Sequence, residues 1–147
     1  MAGKTKRSKI TKALVALLND NLNSIDFDSN IHNNAHNKLV FWDEVNDFPY
    51  ISVVAGGENR EYLPANFVWG FLEVVFRVYV QDEYPQDILE EFFGDIEALL
   101  DANNNLVYDT ETGDTTELIS ILSLTTDQGL FAPIGVGEIV IQIQYDL

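Results

Sequence analysis

Two consecutive segments carry the strongest patterns in this chain: VWGFLEVVFRVYV at residues 68–80 and ILEEFFGDIEALL at residues 88–100. In the first segment the even-numbered positions are apolar or glycine, whereas the odd-numbered positions include Glu73 and Arg77. Side chains alternate between the two faces of a strand, so this pattern predicts a long strand with one core face and one amphipathic face. Glu73 and Arg77 are expected on the amphipathic face, either solvated or in contact with a neighbouring strand or subunit.

The second segment has the period of an α-helix. Its apolar residues recur at the spacing of one helical face, and its acidic residues occupy the other face. The segment follows Asp82, Glu83 and Pro85, and both acidic residues and proline are favoured in a first helical turn. We therefore expect this helix to pack on the apolar side of the long strand.

The flanking residues predict the remaining elements. A first amphipathic helix, capped by Ser8 or Thr11, ends near the polar residues 19–23, and a loop follows at 26–37. Gly56-Gly57 is expected to turn the chain, and 109–116 to form an exposed polar loop. Further strands are predicted at residues 39–42, 50–54, 106–108, 117–126 and 138–147. The predicted fold class is α+β and sandwich-like, with a mixed, mainly antiparallel sheet and two α-helices on one face.

The length of 147 residues allows one domain with one substantial core. We expect this domain to span 13–147 and to follow a basic, flexible N-terminal arm at 1–12. The chain contains no cysteine, which excludes disulfides and thiolate metal sites. No apolar run approaches the ~20 residues needed to cross a bilayer, and no secretory signal is recognisable, so a soluble protein made inside the cell is expected.

Charge is distributed unevenly along the chain. Residues 1–12 carry five basic side chains and no acidic one, whereas the remainder carries 3 basic and 24 acidic residues, a formal charge of −21. An acidic body repels a phosphate backbone, so tight binding of duplex DNA by the folded domain is disfavoured. The basic arm is expected to be a solvated tail, to touch nucleic acid, or to bind an acidic neighbour.

The sequence offers little chemistry. His32 and His36 are four residues apart, but the asparagines around them indicate a loop, and no third metal ligand is evident. Glu90, Glu91 and Glu97 are interpreted as a solvated helix face. No nucleophile motif or phosphate-binding loop is present. We therefore predict a protein that is not an enzyme and has no metal, cofactor or catalytic residue.

The middle of the chain resembles the tail terminator (tail completion) proteins of tailed bacteriophages. The resemblance rests on FPYISVVAG at 48–56, REYLP at 60–64, the strand over 71–80 and the helix over 88–100. It implies a structural virion protein at the head-proximal end of the tail, assembled in the host cytoplasm. In that family a ring, usually a hexamer, caps the tail tube, stops its polymerisation and joins it to the head connector, while DNA passes through the lumen without specific binding. Other neck proteins and tail tube proteins share much of this pattern.

A ring subunit needs head-to-tail contact surfaces, and the sequence suggests several. The loop at 127–137 is unusually apolar and is expected to dock on the tube or on an adjacent subunit. The predicted interface residues are Trp69, Phe71, Arg77, Arg60, Tyr62, Leu130, Phe131, Pro133 and Ile134. Acidic residues that face the lumen would repel DNA and let it slide, and the candidates are Asp109, Glu111 and Asp114.

Two other classes of protein remain open from the residues alone. A small-molecule binding module would need a concave apolar site with convergent polar groups, and the sequence locates none. An acidic protein that mimics DNA would place its carboxylates in one continuous stripe. The five basic residues in 1–12 fit that class poorly.

Overall fold

The structure, a computed structural model, describes residues 5–147. The described residues form a five-stranded sheet, a two-stranded sheet and two α-helices. The helices are α1 (Lys6–Asn21) and α2 (Pro85–Asp101), with a short 3-10 helix at Trp42–Glu44. The strands are β1 (Ala35–His36), β2 (Tyr50–Leu63), β3 (Phe67–Gln81), β4 (Val107–Asp109), β5 (Asp114–Thr115), β6 (Leu118–Thr126) and β7 (Ile134–Asp146).

The large sheet has the strand order β1-β2-β3-β7-β6. Only the short β1–β2 pair is parallel, and the other pairs are antiparallel. The strands β4 and β5 form a separate small hairpin. The predicted α+β class with a mixed, mainly antiparallel sheet and two helices on one face is therefore confirmed.

The core lies between the helices and one face of the sheet. The predicted apolar positions of β3 from Leu72 to Val80 are buried, together with the apolar face of α2. Two glycines of β7 let α2 approach closely, because a Cβ on Gly137 would lie 2.6 Å from Cζ of Phe93 and one on Gly135 would lie 2.8 Å from Cβ of Pro85. Both predicted main elements, β3 and α2, have the expected positions and orientation.

The N-terminal residues correct one prediction. The helix α1 begins at Lys6 and is capped by Thr5, whose side chain accepts a hydrogen bond from the amide of Ser8, not by Ser8 or Thr11. Ile10 and Leu14 are fully buried in the common core, so the flexible arm predicted for 1–12 is wrong for residues 6–12. The buried apolar stripe of the helix begins at Ile10, and basic residues precede and flank it in the sequence. Residues 1–4 of the predicted arm lie outside the described residues.

The turn predicted at Gly56-Gly57 is also wrong. The strand does not turn at Gly56-Gly57 but continues to Leu63, with one extra residue between Ala55 and Glu58. The turn lies at 64–66, where Ala65 and Asn66 adopt left-handed backbone angles with φ of 67° and 63°. The extra residue is a β-bulge, which bends a strand without ending it.

The strand predicted at 39–42 is absent from the described structure. Instead, this segment crosses the sheet face that the helices leave open, where the hydroxyl of Tyr79 donates to the carbonyl of Val40 and the hydroxyl of Ser52 to that of Lys38. Its backbone is thus held by side chains of the sheet. The strand that pairs with the start of β2 is Ala35–His36, inside the predicted loop at 26–37.

Candidate functional site

The open face of the sheet carries the odd-numbered positions of β3. Trp69 and Phe71 are half-buried on this face, and the ring of Phe67 meets the ring of Trp69 edge-on at 5.1 Å. Arg77 forms an ion pair with Glu138 of β7 at 3.3 Å. Glu73, on the same face, is exposed and is not the ion-pair partner of Arg77. This face therefore combines an aromatic patch near the β2–β3 turn with a charged and polar strip towards β7.

The structure separates the predicted interface residues of β2 from those of β3. Arg60 is paired with Gly70 and Tyr62 with Val68, and these partners lie on the helix side of the sheet. Trp69 and Phe71 point to the opposite side. The bulge explains this placement, because one extra residue reverses the face to which every later side chain of β2 points.

The bulge also points Glu58 into a partly buried charged cluster that sequence reasoning missed. The hydroxyl of the fully buried Tyr145 donates to one carboxylate oxygen of Glu58, and the other oxygen meets Arg60 at 2.9 Å and Arg7 at 3.2 Å. A Cβ on Gly70 would lie 2.8 Å from the ring of Tyr145, so this glycine makes room for the phenol. The cluster joins the start of α1 to the outer half of β2.

The cluster shifts the pKa values of two of its members. Burial opposes ionisation of Glu58, but hydrogen bonds from Tyr145 and Arg60 and the charges of Arg7 and Arg60 outweigh it and hold the pKa of Glu58 below its usual value. Burial, followed by the hydrogen bond to Glu58, raises the pKa of Tyr145. The phenol therefore remains a donor and the carboxylate remains charged at neutral pH. No single residue type in the sequence signals this arrangement, because it depends on the bulge.

The three predicted lumen acids lie together on the β4–β5 hairpin, which packs beside α1. Asp109 binds Lys9 at 2.7 Å, and its other oxygen accepts the amides of Glu111 and Thr112 at 3.0 and 3.3 Å. The hydrogen bond from Lys9 lowers the pKa of Asp109, and the same bond raises the pKa of Lys9. Glu111 is exposed and Asp114 is half-buried. The charge of Asp109 is thus balanced within the chain, whereas Glu111 faces solvent.

The apolar loop after β6 is partly covered by the chain itself. The ring of Phe131 stacks on Trp42 with 4.7 Å between centroids. The carboxylate of Asp127 accepts the amides of Phe131 and Val136, which fixes the loop. Leu130 is 77% exposed, and of the other predicted loop residues Pro133 is exposed and Ile134 is half-buried at the start of β7. Trp42 is the partner that the sequence could not place, because its contact joins loops 89 residues apart.

The histidines do not form a metal site in the described structure. His36 lies in β1, where its ring packs against Tyr50 at 5.4 Å and contacts the side chain of Asn34. Within residues 5–147 no group of three or more His, Cys, Asp or Glu side chains is placed to hold a metal ion. In the same residues no helix has the length and apolar character needed to cross a membrane.

Comparison with known proteins identifies relatives over nearly the whole chain. The family model described as Bacteriophage Tail Tube Terminator Protein matches residues 4–147. Tail tube terminator protein p142 of Escherichia phage T5 is 31% identical over 150 residues, which cover 95% of this chain and 92% of that protein. The match therefore includes both helices, all the strands and each of the surfaces described above.

Proposed function

The chain belongs to the bacteriophage tail tube terminator family, and we propose that it is a structural virion protein that caps the tail tube as a ring. In this role it stops polymerisation of the tube and provides the surface that joins the tail to the head. The observation that carries the proposal is the family match over residues 4–147, which spans the complete fold. The function requires assembly surfaces and no catalytic step.

The two edges of the sheet support a ring. Within residues 5–147, β1 pairs only with Ile51 and Ser52, so the outer edge of β2 from residue 53 to residue 63 has no strand partner. The strand β6 closes the opposite side of the sheet and has no outer strand partner in the described residues. Unpaired edges at opposite sides allow head-to-tail contacts, which generate a ring when the rotation closes. We propose a hexamer, as the family resemblance implies.

Exposed and half-buried side chains near the β2–β3 turn supply further subunit contacts in this proposal. Trp69 and Phe71 offer apolar area on the open face, with Arg77 further along the same strand. Arg60 and Tyr62 are offered on the helix side, where Tyr62 is 70% exposed. Aromatic and arginine side chains are enriched at the centres of protein interfaces. The turn can therefore contact a neighbour on both of its faces.

The acidic charge suits a channel for DNA. The formal net charge is −16 at pH 7, so a lumen lined by this protein would repel the phosphate backbone and let DNA slide. We propose that the hairpin of Asp109, Glu111 and Asp114 lies at the lumen. Glu111 would contribute the most negative charge to the lumen, because it is exposed while Asp109 is paired with Lys9.

The proposed partners are further copies of the chain, the tail tube protein and the head connector. The protein would be assembled in the host cytoplasm and remain at the head-proximal end of the tail. Purified tail tubes that are still elongating provide the test. Addition of the protein should stop elongation, and negative-stain images should show a cap of about six subunits with a central hole at one tube end. Continued elongation at the same rate would overturn the proposal.

A further inference from the structure

Three loops meet at the end of the sheet where β3 finishes and β7 begins. The stacked rings of Trp42 and Phe131 join the loop at 38–48 to the loop at 127–133. The amide of Asp82 donates to the carbonyl of Pro133 at 2.9 Å, which joins the same loop to the segment before α2. Tyr84, Pro85, Gly129 and Ala132 then line one shallow depression of about 210 Å³. The three loops thus form one continuous surface.

This surface exposes five large apolar side chains. We call it the end surface and define it by Leu39 (52% exposed), Phe41 (62%), Trp42 (37%), Tyr84 (65%) and Leu130 (77%). Single exposed apolar residues are ordinary, but several of them on three loops that contact one another indicate an interaction site. Sequence reasoning found only the Leu130 part of it, because the other four residues lie in segments distant along the chain.

The end surface is held in place without a partner. Phe41 and Glu44 exchange hydrogen bonds, with the Phe41 amide donating to the Glu44 carboxylate and the Glu44 amide donating to the Phe41 carbonyl. The carboxylate of Asp127 fixes the loop of Leu130, as described above. A surface that is already ordered loses less conformational entropy when a partner binds.

The three segments are strongly acidic. Residues 38–48, 82–87 and 127–133 together contain seven carboxylates and one lysine, a formal charge of −6. A second copy that docked the same surface face to face would bring two like charges of this size together, which is disfavoured. A partner that presents basic side chains around an apolar patch is favoured, because it would cover the exposed apolar side chains and pair with the carboxylates.

We propose that the end surface is the site that docks on the last ring of the tail tube, against an apolar patch bordered by lysine or arginine on the tube subunit. The proposal rests on the proposed function and adds the docking residues and the chemistry of the partner surface. Leu130 and Phe41 enter the apolar patch, and the surrounding carboxylates pair with the basic border. Loss of either apolar group should weaken binding, and so should high salt.

The test measures binding to tail tubes assembled from the tube subunit encoded by the same phage. Co-sedimentation at increasing protein concentration gives the affinity of the wild type, Leu130→Asp, Phe41→Asp and the control Ile25→Asp. Ile25 is 85% exposed in the loop after α1, so the control adds the same charge at an equally exposed apolar position. We expect about tenfold weaker binding for each end-surface variant and less than a twofold change for the control. Wild-type binding should also weaken steadily between low and high sodium chloride concentration.

Thermal unfolding of each variant checks that the fold is retained. The binding results then distinguish a wrong docking site from a wrong terminator function. If the wild type caps tubes and both end-surface variants cap them equally well, the docking site is wrong and the terminator function stands. If Leu130→Asp binds tubes normally but no longer forms a ring or no longer joins isolated heads, the end surface serves that other contact and the docking proposal is overturned. If the wild type neither binds tubes nor stops their elongation, the proposed function itself fails.

Discussion

At the scale of single residues, the Glu58 cluster ties stability to pH. The pKa of Glu58 is lowered in the folded chain, so its contribution to stability is complete above the unfolded pKa near 4.5 and is lost as the pH falls through the folded pKa. Glu58→Gln should reduce the free energy of unfolding at pH 7 by about 1–3 kcal/mol, because two arginines and a buried phenol lose their charged partner. The difference between wild type and variant should shrink below about pH 4.

Urea unfolding at pH 7 and at pH 3.5 measures this effect. Glu61→Gln is the matched control, since Glu61 is exposed on the same strand and none of the described ion pairs uses it. A stability difference for Glu58→Gln that is equal at both pH values would show that the carboxylate charge is not what holds the cluster together.

A second residue-scale prediction concerns the approach of α2 to the sheet. Gly137→Ala would place a Cβ 2.6 Å from Cζ of Phe93, so strand and helix must separate or the ring must move. The expected loss is about 1–3 kcal/mol of unfolding free energy, the usual cost of overpacking a core. Gly94→Ala serves as the comparison, because a Cβ there meets nothing within 4 Å and alanine is the better helix former. Equal stability of Gly137→Ala and wild type in urea would mean that the gap between β7 and α2 is wider than described.

At the scale of elements, the bulge in β2 decides which side chains reach the helix layer. Ala55 is paired with Val74 and Glu58 with Leu72, so one extra residue of β2 lies between these two core-facing pairs. Deletion of Gly57 should restore simple alternation, with Gly56 opposite Glu73 and Glu58 still opposite Leu72. Glu58 then keeps its helix-side position and the hydrogen bond from Tyr145, while the bend at the bulge is lost. We expect a loss of about 0.5–2 kcal/mol, because the residues beside the deletion must change their backbone angles while the buried phenol and the two arginines keep their partner.

Hydrogen exchange of the β2 and β3 amides, together with urea unfolding, measures the effect of the deletion. Gly57→Ala keeps the residue count and should be nearly neutral, because a Cβ at this position meets nothing within 4 Å. Loss of exchange protection at residues 58–63 in the deletion variant would contradict this expectation and show that the pairing beyond the bulge depends on the extra residue.

The elements also show how far sequence reasoning reaches. The strand β3 and the helix α2 were predictable because each repeats one period over about a dozen residues. The bulge was not, since a Gly-Gly pair after an apolar run is equally compatible with a turn, and only pairing with β3 decides between the two. Likewise, the path of residues 38–48 depends on hydroxyl groups of Ser52 and Tyr79 that are remote in the chain. Of the candidate site, the apolar loop at Leu130 was visible in the sequence, whereas its neighbours Phe41, Trp42 and Tyr84 were not.

At the scale of the whole molecule, the two unpaired sheet edges determine how copies can associate. The β6 edge carries Leu122, which is 52% exposed and lies at the register shift between Ile121 and Ser123. A lysine on an edge strand opposes pairing with another strand, because its charge would have to be buried or displaced. If the ring is closed by the β6 edge of one copy meeting the β2 edge of the next, Leu122→Lys should prevent closure while the monomer keeps its stability within about 0.5 kcal/mol.

Light scattering over a range of concentrations, with and without tail tubes, measures this prediction. Wild type should reach the mass of a ring, alone or at the tube end, and Leu122→Lys should remain monomeric in solution and bind tube ends with fewer than the full number of subunits. Ile25→Lys adds the same charge at an exposed position outside the strands and should form rings as the wild type does. Because docking on the tube is assigned to the end surface and closure to the sheet edges, Leu122→Lys and Leu130→Asp should fail at different steps. If Leu122→Lys forms normal rings, the β6 edge is not part of the subunit contact. The aromatic residues near the β2–β3 turn would then be the surface that closes the ring.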